Sequence, residues 1–541
     1  MKVFRLLFAF LPAFAVAQGN FVSSNLPIVL IHTNGQEIPL EPKITAQMQV
    51  LYHGPNVRNY LTDQPTDYNG LVGIERRGSA SDFFSEKKPY AIELRDTDGN
   101  DTDFPLLGMP EESDWAFLAP YNDKSLVRDA LILELARRIM PWAPRTRFVE
   151  MMLNGKYEGI YLAAEKIKRG KDRVDISKLK PTDLAGDSLT GGYILKIDKT
   201  TGAASAQWQS PYPPYVGAWQ RTLWQVHYPK LEDIQPKQVQ YISSWINNFE
   251  AVMNTPQFAD TITGYPKYLD VGSFVDLTLL NELAKNVDSY RISTFFWKDR
   301  DDKDPRLHAG PVWDFNISLG NANYCGGEST GGWAIDFNNV CPGDGWVNAF
   351  WWPKMWQDQQ YRRHLKERWA ALRSHQLSDE AVLHVLDSLT FLLQESQSRN
   401  FQRWPVLYEY LWPNAYCCGN YDGHVGYLRT WILSRMKWMD AVAKTLYVGE
   451  YVEKDRFVTT VTPNPSTDVI HFNMYLRHSD LVQVRIFTAM GQYITTLEYN
   501  PELNGKNQLT WTNTLRPGVY FYEVQINNKR ASSGRFVVDR L

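Results

Sequence analysis

The segment from Leu283 to Asn321, LAKNVDSYRISTFFWKDRDDKDPRLHAGPVWDFNISLGN, constrains the chain more than any other. Two apolar runs, ISTFFW and LHAGPVW, are joined by the charged turn DRDDKD. An aspartate stands at the outer end of each run, Asp288 before the first and Asp314 after the second. Runs of this length and composition read as strands. Strand side chains alternate between faces, so carboxylates that must meet both solvent and ligand belong at strand ends.

Aspartate, strand, turn, strand, aspartate is also the order in which a protein kinase presents its catalytic base and its metal ligand. The rest of the chain bears on whether that outline means phosphoryl transfer. At 541 residues the chain exceeds one core, and two or three domains are expected. With 44% hydrophobic and 22% charged residues the composition is globular rather than disordered. A net charge of −3 without a basic block argues against a nucleic-acid partner. No histidines have HExxH spacing, so no catalytic zinc is expected.

The N-terminus, MKVFRLLFAFLPAFAVAQGN, has Lys2 and Arg5, an apolar core and the small-x-small site Ala15-Val16-Ala17. This pattern predicts a secretory signal over residues 1–17, cut before Gln18. No later run of about 18 apolar residues occurs, so no transmembrane segment is expected. Outside the cytoplasm the four cysteines can pair, and four allow three connectivities. Cys325 with Cys341 would close a Gly-rich loop just after Asp314. A zinc site is the alternative, but the spacings match no familiar ligand pattern. Cys417 and Cys418 are adjacent, which leaves a vicinal bridge or separate partners open.

A helix, HVGYLRTWILSRMKWMDAVAKTL, ends near Tyr447 and is followed by the linker YVGEYVEKD. From Arg456 the text becomes short alternating strands with Gly and Asn turns, which predicts a small β-sandwich. Pro463-Asn464-Pro465-Ser466, RIFTAMGQ, LRPGVYFYEV and Gly534-Arg535-Phe536 follow in order. With these motifs, residues 455–541 resemble the C-terminal sorting domain of type IX secretion substrates. The resemblance implies export through the periplasm by the type IX machinery to the cell surface or beyond.

Residues 18–168 mix strands with one clear helix, whereas about 169–450 read as mostly helical and aromatic-rich. In NDKSLVRDALILELARRI, Asn122 or Asp123 can cap the helix. At about 100° per residue, Glu134 shares a face with Val127, Ala130 and Leu131. A carboxylate there needs a cation: either a strand lysine that also holds nucleotide phosphates, or Arg138 at i+4. The lysine candidate is Lys88, which shares the more apolar strand face with Tyr90, Ile92 and Leu94, while Lys87 lies opposite. A solvated edge position is the alternative for either lysine. Arg77-Gly78-Ser79 forms a turn that could lie near phosphates but lacks repeated glycines. TRFVEMMLNG and KYEGIYLAAEKIKRG form a hairpin about Asn154-Gly155, whose exit through Ala164-Glu165-Lys166-Ile167 stands where a kinase has its interlobe hinge.

These segments together resemble the CotH kinase family of atypical secreted kinases. The resemblance rests on Arg77-Gly78-Ser79, Lys87-Lys88-Pro89-Tyr90, LLGMPEESDWAFLAPYNDKSLVRDAL, APRTRFVEMMLNGKYEGIYLAAEKIKRGKDRVDI, GGYILKIDK, NVDSYRISTFFWKD and GPVWDFNISLGN. It implies an α+β fold: an atypical two-lobed protein-kinase-like domain over residues 18–450, ahead of the C-terminal β-sandwich. It further implies ATP and Mg²⁺ (or Mn²⁺) as cofactors, Asp288 as the catalytic aspartate and Asp314 as the metal ligand. Lys88 and Glu134 are the expected phosphate-holding pair. Ser293 stands where a kinase keeps a metal-binding Asn, and Phe315-Asn316 follows Asp314 instead of Phe-Gly. Ser293 and Asn316 are therefore the further candidate metal ligands.

The function expected on this basis is a secreted or surface-exposed kinase that phosphorylates hydroxyl side chains of exported proteins. The alternative is a non-catalytic kinase-like surface protein, for which the clusters QWQSPYPPYVGAWQRTLW and GWVNAFWWPKMW offer sugar- or peptide-binding aromatics. Polysaccharide hydrolysis would need two carboxylates at fixed separation, and no such pair stands out. The acidic runs DTDGNDTD and DRDDKD read as solvated turns rather than calcium loops.

Overall fold

The computed structural model describes residues 21–201, 204–447, 459–476, 481–501 and 505–539. The expected signal sequence and the linker after Tyr447 lie outside the described residues. The chain divides into two compact units, Met1–Tyr447 and Val448–Leu541.

The first unit mixes sheet and helix. Seven strands, β1 (Ile28–His32), β2 (Ile44–Leu51), β3 (Tyr68–Arg76), β4 (Tyr90–Arg95), β5 (Asp114–Leu118), β6 (Thr146–Leu153) and β7 (Lys156–Glu165), close into a barrel in the order β6-β7-β5-β4-β3-β2-β1. Every neighbouring pair is antiparallel except β6 with β1, which run parallel and seal the barrel. Pleat alternation sends one residue in two inward, so Ile31, Met48, Val72, Ile92, Phe117, Met151 and Tyr161 meet in one apolar cluster. Sequence patterning predicts strands here but not their closure, because the sealing pair joins segments more than a hundred residues apart. Asn154 (φ 50°) and Gly155 (φ 76°) make the expected β6–β7 turn, both in the left-handed region that such a hairpin requires. β7 is apolar on both faces: Tyr161 and Ala163 fill the barrel, whereas Ile160 and Leu162 join the neighbouring helical core.

A second sheet contains β8 (Tyr193–Ile197), β9 (Gln207–Gln209), β10 (Leu223–Tyr228), β11 (Thr294–Lys298) and β12 (Leu307–Ala309), in the order β9-β10-β8-β11-β12 and antiparallel throughout. β11 and β12 are the two strands read from ISTFFW and LHAGPVW. Eight helices matter for the site and its support: α1 (Ala80–Phe84), α2 (Arg128–Arg137), α3 (Pro236–Met253), α4 (Val271–Ala284), α5 (Gln359–Arg373), α6 (Asp379–Leu393), α7 (Ser396–Arg403) and α8 (Tyr421–Leu446). α4 starts at Asp270, whose carboxylate accepts from Ser273 N at 2.9 Å, and it is buried on nearly every side. Trp351 and Trp352, read as a possible binding cluster, are fully buried against Trp224, Phe274 and Phe296 and serve the core.

One ion pair sits at the centre of this core. Arg435 of α8 and Glu282 of α4 are both fully buried and 3.2 Å apart. The remaining valences are filled: Arg435 also donates to Gly332 O at 2.6 Å and Thr330 O at 3.0 Å, and Glu282 accepts from Ala334 N, Ile335 N and the Tyr290 hydroxyl. A buried pair persists only when its lone pairs and protons are satisfied in this way.

The regular elements among the described residues of the second unit are all strands. β13 (Thr460–Thr462), β14 (Val469–Leu476) and β17 (Gly505–Thr512) form one sheet, and β15 (Val482–Thr488), β16 (Tyr493–Tyr499), β18 (Gly518–Ile526) and β19 (Lys529–Val538) form another. Ile470, Phe472, Val484, Ile486, Val524 and Phe536 from the two sheets share one apolar cluster.

Candidate active site at the mouth of the β11–β12 hairpin

α4 ends at Lys285, whose left-handed φ of 40° turns the chain into the loop that carries Asp288. That loop is fixed from within. Asn286 donates to Asp314 O at 2.9 Å, Asp288 N donates to the Asn286 side chain at 3.2 Å, and Arg291 Nη2 holds an Asp288 oxygen at 2.7 Å. Arg291 is itself clamped by Asp344 at 3.0 Å and by Val287 O at 2.7 Å. Tyr290, anchored on Glu282, ties the loop to the buried ion pair.

Ser293 and Asp314 flank the two strands, and both adopt left-handed backbone, φ 49° and φ 69°. Such conformations are uncommon outside glycine and recur where a side chain must be aimed. The Ser293 hydroxyl donates to Asp314 Oδ2 at 3.3 Å, while its N–H donates to Asp198 Oδ1 at 3.2 Å. Asp198 stands here because β8 pairs with β11 in the register Ile197↔Thr294, which sets the residues just beyond side by side. From α2, Asp129 accepts the Phe315 N–H at 2.6 Å. The Arg77-Gly78 turn at the end of β3 adds a cation to Arg291 and to Lys196, which pairs with Asp198 at 3.2 Å: Arg77 interacts with Asp314 and Asp129 and lies 5.4 Å from the Trp313 ring. Gly78 (φ 91°) is required there, since a Cβ would fall 2.1 Å from the Ser81 hydroxyl.

Four half-buried carboxylates, Asp129, Asp198, Asp288 and Asp314, thus act on one another. Burial, then the charges of Asp288 and Asp198, push the Asp314 carboxyl up to about 6. Burial and the Asp314 charge push Asp129 up to about 7, against the Phe315 N–H bond. Asp288 is raised by burial, with Arg291 opposing. Like charges brought together and hemmed in by protein are costly to ionise, and a divalent cation relieves that cost. Carboxylate and hydroxyl oxygens are hard donors of the type that Mg²⁺ or Mn²⁺ takes, although among the described residues no three of these carboxylates bring ligand atoms within 4.8 Å of one another. Asn316 lies beside them with its amide 3.4 Å from Asn122 Oδ1.

The expected pair Lys88–Glu134 is not brought together. Glu134, on the least buried edge of α2, is 35% exposed and pairs with Arg137 at 3.0 Å and Arg138 at 3.5 Å, the intrahelical alternative. Lys88 donates to Asp82 O at 2.5 Å. Regular strand geometry begins only at Tyr90, so alternation counted back from it misassigns the faces: Lys87 is the fully buried lysine, held by Ile160 O and Asn400 Oδ1. α2 does contribute a carboxylate to the site, but from Asp129. The helix begins at Arg128, later than the sequence predicts, because Asp123 caps the turn before it, accepting from Ser125 N and Arg128 N. Asp198 had a readable signal, as it ends the strand YILKI by the same strand-end logic applied to Asp314. Asp129 had none, since its neighbour across space is distant in sequence.

The expected hinge is closed to a ligand at one carbonyl, because Ile167 O bonds with His227 Nε2 at 2.7 Å. In DRDDKD, Asp301 pairs with Lys298 and Asp304 with Arg306, and in DTDGNDTD, Asp96 accepts from the N–H groups of Asp98 and Asn100. Both runs behave as turns. Cys325 and Cys341 form a disulfide that closes the loop beside Arg291 and Asp344, and Cys417 bonds to Cys418.

Residues 460–539 match the secretion system C-terminal sorting domain. No helix among the described residues is long and apolar enough to cross a membrane. No curated protein matches the chain. Among solved structures, the Pseudomonas fluorescens alkylpurine DNA glycosylase AlkC bound to DNA containing an abasic site analog matches at 13% identity with a TM-score of 0.12. That match covers 38% of this chain and 64% of the glycosylase, less than two thirds of its length, and so low a score carries no argument about fold or function. Residues 74–439 match the family described as CotH kinase protein. The matched span covers more than half of the chain and takes in Arg77, Asp129, Asp198, Asp288 and Asp314, and the chain belongs to the CotH kinase family.

Proposed function

We propose that this protein is an ATP-dependent kinase that phosphorylates hydroxyl side chains of exported or surface proteins. The observation that carries this reading is the convergence of Asp129, Asp198, Asp288 and Asp314 on the β11–β12 hairpin, with Arg77, Arg291 and Lys196 among them. Asp314, Ser293, Asp198 and Asn316 would hold a divalent cation, with Asp129 fixing the Asp314-Phe315 backbone. A cation held there would supply charge neutralisation for the polyphosphate. Arg77, half-buried beside the carboxylates, would offer a protein cation to the phosphates.

Asp288 is the group for the acceptor. Its carboxylate is oriented by Arg291 at 2.7 Å, and burial raises its proton affinity. It accepts the proton of the acceptor hydroxyl as the oxygen–phosphorus bond forms and the bond between the γ-phosphorus and the β–γ bridging oxygen breaks, with ADP leaving. General-base help of this kind is worth about 10²–10⁴-fold. Lys88 and Glu134 take no part in this reading.

The sorting domain and the disulfides support a destination outside the cytoplasm, with the type IX machinery as the export partner and the cell surface or medium as the endpoint. A kinase-like surface protein without transfer activity is the second reading, favoured by the separation of Lys88 from Glu134. Incubation of the purified protein with labelled ATP, Mg²⁺ or Mn²⁺ and a protein acceptor separates them. Label on the acceptor or on the protein itself supports the kinase, and nucleotide binding without transfer supports the second reading.

A further inference from the structure

Four aromatic rings from three separate chain segments make a continuous ridge that begins at the catalytic aspartate. Tyr324 bonds with Arg291, which holds Asp288 at 2.7 Å, and burial together with the Asp288 charge pushes its phenol up. Trp412 stacks on Tyr324 at 5.6 Å and 19°, Phe84 packs on Trp412 at 5.1 Å, and Phe83 meets Phe84 edge-on at 4.9 Å. The outer rings stand in solvent: Phe83 is 80% exposed, Phe84 57% and Trp412 47%.

The ridge is not a frayed loop. Asn323 N donates to Pro413 O at 2.8 Å and the Asn323 amide to the Tyr410 hydroxyl at 2.8 Å, so the segments carrying Tyr324 and Trp412 are sewn together. Ala322 and Asn414 form a β-bridge, and Asn414 donates to Asn122 O at 2.7 Å, next to α2. Cys325–Cys341 pins the other side of Tyr324. Phe83 and Phe84 project from α1, directly after the Arg77-Gly78 turn that faces the carboxylates. Soluble proteins rarely leave contiguous aromatic surface uncovered on rigid backing, and such patches mark binding sites.

Continuity with Asp288 selects the occupant. Resting on the kinase reading, we propose that this ridge docks the acceptor protein, taking an aromatic or other bulky apolar side chain that flanks the phosphorylated hydroxyl. With the hydroxyl at Asp288, the chain passes Tyr324 and lays its apolar residue between Trp412 and Phe84. An extended segment covers the ridge in roughly five residues at about 3.3 Å each.

The test uses the full chain, ATP with Mg²⁺, and two fluorescent serine peptides. One has alanine at all other positions, and the other has phenylalanine four residues from the serine on each side. Binding is read by polarisation and transfer by label. The wild type is expected to favour the phenylalanine peptide by about tenfold in Kd and KM, the effect of burying one ring. The double variant Phe83→Ser, Phe84→Ser is expected to erase that preference with an unchanged melting temperature, since both side chains stand in solvent. Equal affinity of the wild type for the two peptides overturns the proposal, as does a preference that survives in the double variant. So does ridge-dependent binding of cellohexaose in place of either peptide. Ridge-dependent binding of the phenylalanine peptide without any phosphate transfer leaves the docking site standing and removes the kinase reading.

Discussion

The Ser293 hydroxyl lies 3.3 Å from Asp314 Oδ2, joining the residue that enters the β11–β12 hairpin to the residue that leaves it. Both take left-handed backbone to do so. On the kinase reading, Ser293 takes the place, five beyond Asp288, where a kinase keeps a metal-binding asparagine. The ends of the hairpin thus bring two oxygen-bearing side chains together, and Asp198 joins them by accepting from Ser293 N.

The raised carboxyls contribute to the pH response of the metal-free protein. Burial and neighbouring charge push Asp129 up to about 7 and Asp314 up to about 6, against about 3.9 in an unfolded chain. Between pH 4 and pH 7 the folded state holds more protons, so these groups make stability fall as pH rises through that window. Asp129→Asn keeps an acceptor for Phe315 N and removes one charge. It is expected to stabilise the metal-free protein at pH 8 by about 1 kcal/mol, discounted for partial solvent screening, and to have little effect at pH 4. Thermal melts at the two pH values check this, and a lower melting point at pH 8 contradicts it.

Added Mg²⁺ has the opposite pH dependence, because its ligands must be deprotonated. It is expected to raise the melting temperature more at pH 8 than at pH 5, and Asp314→Asn is expected to abolish that gain. An equal Mg²⁺ effect in Asp314→Asn places the cation elsewhere.

Arg435→Leu leaves Glu282 charged and buried without its partner. A loss of about 3–5 kcal/mol in urea unfolding is expected, with the double variant Arg435→Leu, Glu282→Leu recovering part of it. Full wild-type stability in the single variant contradicts a structural role for the pair. The loop carrying Asp288 is expected to suffer with it, since Tyr290 hangs on the same glutamate.

Replacing Cys325 and Cys341 with serine opens a loop closed at a sequence separation of 16. Chain entropy predicts a loss of about 3 kcal/mol. Reduction of the wild type is expected to mimic the variant in a denaturant titration, and an unchanged midpoint in both contradicts the assignment.

Residues 448–541 have their own core and are expected to serve export rather than folding of the rest. A chain ending at Tyr447 is expected to melt cooperatively and to stay in the periplasm. Its appearance at the cell surface contradicts the sorting role.

Sequence made the hairpin legible because its signals are local: two β-branched and aromatic runs, a charged turn, and aspartates at the ends. The same holds for the Asn154-Gly155 turn, the strands after Thr460, and the Cys325–Cys341 bridge. Barrel closure was not legible, since the parallel pairing of β6 with β1 depends on register between remote segments. Asp129 was hidden for the same reason, its bond to Phe315 spanning 186 residues of sequence. Lys88 and Glu134 misled because helix and strand periodicity fixes a face but not which partner reaches it. Arg137 and Arg138 met Glu134 locally, one turn away.

Nucleotide binding and phosphate transfer measured side by side in wild type, Asp314→Asn and Asp288→Asn separate metal-nucleotide binding from acceptor activation. The wild type is expected to bind Mg·ATP and label an acceptor, and Asp314→Asn to lose most nucleotide affinity. Asp288→Asn is predicted to bind nucleotide as the wild type does and to transfer phosphate at least ~100-fold more slowly. Wild-type transfer rates in Asp288→Asn, or no nucleotide binding by the wild type, would contradict these expectations.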